Sequence, residues 1–111
     1  MSCIFCSIVS GEIAGSIVAE NEDAIAIADL APVAPTHILV IPKVHYANLD
    51  AYVRASDPAA VAALMAFAAR LGSELEGGYR LVVNSGERGG QSVAHLHLHV
   101  IGGRAMQWPP G

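Results

Sequence analysis

The stretch "GGQSVAHLHLHVIGG" (residues 89–103) decides the fold. From His95 to Ile101 imidazole and aliphatic side chains alternate, which is the period of a strand with two unlike faces. Leu96, Leu98 and Val100 share one face and belong to a core. His95, His97 and His99 share the other, with neighbouring pairs roughly 6.6 Å apart at Cα. Such a face admits three readings: a solvated polar surface, a metal site, or a nucleophilic imidazole acting on phosphorus. The metal reading is chemically sound, because an H-x-H pair on a strand binds zinc and three histidines plus water make a catalytic zinc site. In the nucleophile reading one imidazole attacks while its neighbours hold the phosphate oxygens. The preceding "NSGERGGQS" (84–92) favours this last reading. Its glycine-bracketed turn, with Asn84 and the Ser92 hydroxyl, can cradle an oxyanion, for which metal ligation has no use. No carboxylate stands near the three histidines in the sequence, so a backbone carbonyl is expected to orient the reacting imidazole.

The rest of the chain supplies the partners of that strand. "SDPAAVAALMAFAARLGSELEGG" (56–78) predicts a helix capped by Ser56 or Asp57, with Pro58 in the first turn and Gly77-Gly78 as its end. Val61, Leu64, Met65, Ala68, Leu71 and Leu75 form its apolar stripe. "SIVAE" (16–20), "AIAIAD" (24–29) and "HILVIP" (37–42) read as an antiparallel meander, and "YRLVVN" (79–84) as a further strand. Residues 4–10 predict a short helix ending at Gly11. The expectation is one α+β domain over residues 1–111, with about five antiparallel strands, the main helix on one side and a short N-terminal helix.

Composition narrows the function. Hydrophobic residues make up 53% of the 111 and charged ones 14%, too apolar for disorder, yet no run reaches the roughly 18 residues that span a bilayer. The formal charge of −4 and scattered cations speak against a nucleic-acid polymer as partner. None of Lys43, Arg54, Arg70, Arg80, Arg88 and Arg104 falls between Gln91 and Gly103, so an anion held there relies on N–H groups, hydroxyls and imidazoles. That suits one phosphate better than a polyphosphate. The N-terminus lacks secretory-signal features, and a cytoplasmic location is expected. Cys3 and Cys6 form a C-x-x-C, a metal half-site or redox pair in a reducing compartment.

"HLHLHVI" fits every position of the His-φ-His-φ-His-φ-φ pattern, with φ apolar, and so resembles the histidine triad (HIT) family. "DLAPVAPTHILVIPKVH" (29–45), "GYRLVVNSGERGGQSVAHLHLHVIGGR" (78–104) and "WPPG" (108–111) together resemble its Hint-like branch, the purine nucleoside phosphoramidate hydrolases. The resemblance implies that His97 attacks the α-phosphorus of a nucleoside 5′-phosphoramidate or aminoacyl-adenylate. A nucleotidyl-histidine forms, and water releases AMP or GMP after the amine has left. It further implies that His99 and His37 lie beside the phosphate. Asn84, Gly90, Gln91 and Ser92 bind its oxygens, and Ser92 helps protonate the amine. Asp29 would accept a ribose hydroxyl, and Ile4, Phe5, Ile8, Ile27 and Leu30 would line the base pocket. Aliphatic Ile27 and small Ala28 depart from the bulkier residues common in relatives. From residue types alone, Asp29 reads as a turn aspartate and the pocket residues as ordinary core.

The same resemblance implies a structural zinc held by Cys3, Cys6, His45 of "PKVH" and His95, since two thiolates and two imidazoles close a tetrahedral set. It also implies a homodimer, with the lone Trp108 in the C-terminal tail near the partner subunit. Diadenosine-polyphosphate hydrolysis or nucleotidyl transfer is the rival within the superfamily, and a nucleotide-binding module without catalysis is the rival outside it.

Overall fold

Ala and Ile alternate in "AIAIA", and the whole sheet is built on that distinction between its two faces. The computed structural model describes residues 3–111. Five strands, β1 (Ile17–Glu20), β2 (Ala24–Ala28), β3 (Thr36–Pro42), β4 (Tyr79–Val82) and β5 (Leu98–Gly102), form one antiparallel sheet in the order β1-β2-β3-β5-β4. Ala24, Ala26, Val40, Leu98 and Val100 line one face. Helix α3 (Pro58–Ser73) covers that face with Leu64, Phe67 and Ala68, packing chiefly over β5 and β4. Ile25, Ile27, Leu39 and Ile41 line the opposite face, where Phe5 and Ile8 of α1 (Ile4–Ser10) pack on them. The α+β expectation therefore holds, with a helix on each face instead of one.

Local chemistry sets the boundaries. Asp57 caps α3 by accepting the Ala60 N–H at 2.8 Å, and Pro58 occupies its first turn. The helix ends at Ser73, short of the glycines, and the buried stripe includes Phe67 while Met65 is exposed. Leu75 still packs on the core from the turn that follows. Gly72 is required by a close approach, since a Cβ there would run into the Tyr79 ring. A further helix, α2 (Leu49–Ala55), was not expected; Asn48 caps it by accepting the Ala51 N–H at 2.9 Å, and Tyr52 anchors it by donating to the Ala60 carbonyl at 3.1 Å.

The histidine run is a strand only from Leu98 onward. Val40 pairs with Leu98, so the same register would set Leu96 against Pro42. Pro42 has no N–H to donate, and its carbonyl accepts from His95 Nε2 at 2.9 Å. Leu96 instead donates its N–H to the Tyr46 carbonyl at 2.7 Å. The ladder stops, but the alternation of faces persists through Leu96 and His97.

Candidate active and metal site

At one end of the run, four residues far apart in sequence meet. Cys3 caps α1, its Sγ accepting the Cys6 N–H at 3.3 Å, so the first turn points both sulfurs the same way. The Leu96–Tyr46 hydrogen bond lays the segment after β3 along the histidine run and sets His45 against His95. The Nδ1 atoms of His45 and His95 stand 3.1 Å apart, and each lies 3.3 to 3.6 Å from the two sulfurs. Ligands about 2.3 Å (sulfur) and 2.0 to 2.1 Å (nitrogen) from one tetrahedral ion would be separated by roughly 3.3 to 3.8 Å, which this set matches closely. His95 donates Nε2–H to Pro42, so its Nδ1 carries a lone pair, the form that ligates. Burial lowers the His95 pKa, the neighbouring His45 and His97 adding to it, and so favours that neutral form. The Cys6 thiol is raised by the Cys3 side-chain hydrogen bond, by burial and by the Cys3 charge. A divalent cation relieves that repulsion between thiolates. Cys3, Cys6, His45 and His95 thus fit a structural zinc, the closed set expected of them.

The other histidines are arranged by hydrogen bonds that fix their tautomers. His97 Nδ1 lies 2.8 Å from the His95 carbonyl, which can only accept, so Nδ1 holds the proton and Nε2 the lone pair. The Val33 N–H donates to His37 Nδ1 at 3.1 Å, so the His37 proton sits on Nε2. That N–H points to His99 Nδ1 at 2.9 Å, with Asp29 Oδ2 beside it at 3.3 Å. His99 Nδ1 must accept, which leaves its proton on Nε2, a buried atom with no partner among the described residues. A buried donor without an acceptor costs stability unless a ligand supplies one. Burial, then the charges of His97 and His37, push the His99 pKa down to about 4. The His97 and His99 ring centroids are 5.0 Å apart, and Phe5 meets the His97 ring edge-on at 5.1 Å. Asp29, His37 and His99 also cluster tightly enough for a metal, but the His37–His99 hydrogen bond occupies the atoms an ion would need.

A carboxylate was not expected near the triad, yet Asp29 lies against His37. It follows β2 in sequence and is brought there by pairing of its N–H with the His37 carbonyl at 2.9 Å. Its Oδ1 accepts the Ala31 N–H at 2.8 Å, so it is also the turn aspartate its local sequence implied. The backbone-carbonyl orienter does exist, and it is that of His95.

In the 84–92 loop the donors divide. Gly90 N–H is given to Glu87 and Gln91 N–H to Gly86, while the Gln91 amide bridges Gly86, Ala47 and Val93. Gly90 and Gln91 therefore shape the loop, and Gly90 needs its φ of 91° to do so. The β4–β5 register, Val82 opposite His99, carries Asn84 toward the level of His97. Asn84 is half-buried beside Gly90, and Ser92 is exposed. Of the apolar candidates, Phe5, Ile8 and Ile27 are packed together in the core, whereas Ile4 is 48% and Leu30 95% exposed.

The HIT domain model matches residues 10–106. The 14 kDa zinc-binding protein of Zea mays is 42% identical over 97% of this chain and 87% of its own length. Adenylylsulfatase HINT1 of Arabidopsis thaliana is 40% identical over 97% of this chain and 76% of its own. The crystal structure of a HIT family hydrolase from Legionella pneumophila superposes with a TM-score of 0.89 at 43% identity, covering 99% of this chain and 100% of that one. The triad, its hydrogen-bond chain and these matches place the chain in the HIT family.

Proposed function

We propose that the protein is a hydrolase of adenylyl and guanylyl compounds that splits the P–N bond of nucleoside 5′-phosphoramidates, or the P–O anhydride bond of aminoacyl-adenylates with an amino-acid carboxylate leaving, through a covalent His97 intermediate. The observation that carries this is the pairing of two free ring atoms: the His97 Nε2 lone pair and, on the neighbouring ring, the buried His99 Nε2–H without an acceptor. The lone pair attacks the α-phosphorus, and the His99 N–H donates to a phosphoryl oxygen as charge grows there. The His97–phosphorus bond forms as the bond to the amine breaks, and the amine leaves with a proton that Ser92 helps deliver. The adduct is an imidazolium whose remaining N–H points at the His95 carbonyl, which stabilises its charge. Water then attacks phosphorus, the imidazole leaves with its electron pair, and a nucleoside monophosphate is released.

His37 keeps His99 in the donating tautomer, and Asp29 steadies His37. Each Asp29 oxygen retains a lone pair for a ribose hydroxyl. Asn84 and Ser92 are the loop groups left to hold phosphate oxygens. Exposed Ile4 and Leu30, next to the packed Phe5, Ile8 and Ile27, offer apolar surface to the base. The relatives named as a hydrolase and as an adenylylsulfatase support hydrolysis at a nucleotide phosphorus, and the second favours a variant reading in which sulfate is the leaving group. Sulfate needs no proton on departure, so Ser92 would matter less. Trp108 is 82% exposed in the single chain, which suits cover by a second copy in a homodimer.

Incubation with adenosine 5′-phosphoramidate, an aminoacyl-adenylate and adenosine 5′-phosphosulfate tests the reading by AMP release. Turnover of the first two, lost in His97→Ala, is expected. Turnover of the phosphosulfate alone moves the assignment to the variant reading, and none on any of the three overturns it.

A further inference from the structure

We infer that the metal-bound N-terminal turn positions the nucleophile, with His95 and Phe5 as the positioning residues through which it acts. This rests on His97 being the nucleophile, as proposed above. Every hydrogen-bonding group of the His95 side chain is committed: Nδ1 to the ligand set and Nε2–H to the Pro42 carbonyl. The ring is buried and cannot turn without breaking both. The carbonyl of this same residue receives the His97 Nδ1–H at 2.8 Å. The acceptor that decides the His97 tautomer is therefore fixed by the residue that the metal holds.

A second contact runs from the same turn. Phe5 sits between the two cysteines in α1 and meets both rings edge-on, His95 at 5.8 Å and 80°, His97 at 5.1 Å and 71°. Helix α1 has seven residues, too few to persist by its own hydrogen bonds. Outside the ligand set it is held chiefly by Phe5 and Ile8 in the smaller core cluster. When zinc is bound it ties Cys3 and Cys6 to His45 and His95, so Phe5 is pinned against the nucleophile from a turn that cannot fray. Loss of the ion releases the turn, the ring contact and the restraint on the His95 carbonyl together.

The test reads ring-nitrogen protonation, not only turnover. In ¹⁵N-histidine-labelled zinc-loaded protein, NMR should show His97 as a single Nδ1–H tautomer. After chelation, or in Cys3→Ser, a mixture of tautomers is expected, with the amide signals of the α3 face unchanged. Phe5→Leu, loaded with stoichiometric zinc, should show the same loss of a single tautomer. In these proteins kcat should fall roughly 10- to 100-fold with a much smaller change in KM. An unchanged His97 tautomer and kcat in folded zinc-free protein overturns the inference. Should zinc removal unfold the whole chain, Phe5→Leu decides: a His97 signal and kcat like the parent's overturn it. The tautomer measurement needs no substrate, so a parent protein that turns over no phosphoramidate counts against the proposed function and leaves this result standing.

Discussion

The two faces of the sheet are held by different physics. Under α3 the contacts are aliphatic and aromatic, from Leu64, Phe67, Leu96, Leu98 and Val100, and a sixteen-residue helix brings its own hydrogen-bond ladder. On the opposite face the seven-residue α1 packs Phe5 and Ile8 on a smaller apolar cluster, Ile25, Ile27, Leu39 and Ile41, and beside that cluster lie the imidazoles and thiols. One face is stable because it excludes water. The other adds directional bonds to its smaller apolar cluster: His97 to the His95 carbonyl, His37 to His99, and the four metal ligands around one point. The stable face lets the reactive face keep an unpartnered donor such as His99 Nε2, whose cost the first face absorbs.

Substitutions should separate the faces. The largest effect is expected from His97→Ala, with phosphoramidate turnover falling on the order of 10⁴-fold or more while thermal unfolding stays a single cooperative transition. Across the sheet, Leu98→Ala should cost about 2 to 5 kcal/mol by denaturant titration and leave the histidine hydrogen bonds in place. The functional face should also show in a pH titration of stability. His99 resists protonation down to about 4, whereas an unfolded histidine takes a proton near 6.5. Between those values the unfolded chain binds the extra proton, so stability falls as pH drops through that window and is indifferent to this group above it. His99→Gln should flatten that slope. Gly72→Ala, which forces a methyl into the Tyr79 ring, should cost about 1 to 3 kcal/mol. The smallest change, Asp57→Ala, removes the α3 cap for about 1 kcal/mol and should not alter turnover per folded molecule.

The sequence was more legible on the stable face. The short apolar runs of the meander, the period-2 alternation in "HLHLHVI" and the capped helical run from Asp57 pointed to the sheet and α3, because burial imposes those patterns. Helix α2 escaped notice because its hydrophobic pattern is only seven residues long, although Asn48, Asp50 and Arg54 in cap, first-turn and last-turn positions were an available signal. The early end of the β5 ladder depends on Pro42 standing across the sheet, which no local pattern reveals. Asp29 beside His37 is likewise a consequence of strand pairing, not of neighbouring sequence. Within the candidate site, the division of labour in the loop came only from its bonds. Gln91 looks like a phosphate ligand in one dimension, and its amide is spent on Gly86, Ala47 and Val93 in three.

The central claim is that a covalent bond forms at one particular nitrogen, and it can be observed. Phosphorus–imidazole bonds are labile in acid, so the reaction with adenosine 5′-phosphoramidate should be quenched in alkali within a single turnover and the peptides mapped by mass. The account predicts adenylate on His97 alone, appearing before AMP is released and absent from His97→Ala. AMP release at the parent's rate by His97→Ala, or adenylate on a different residue in the parent, would contradict it.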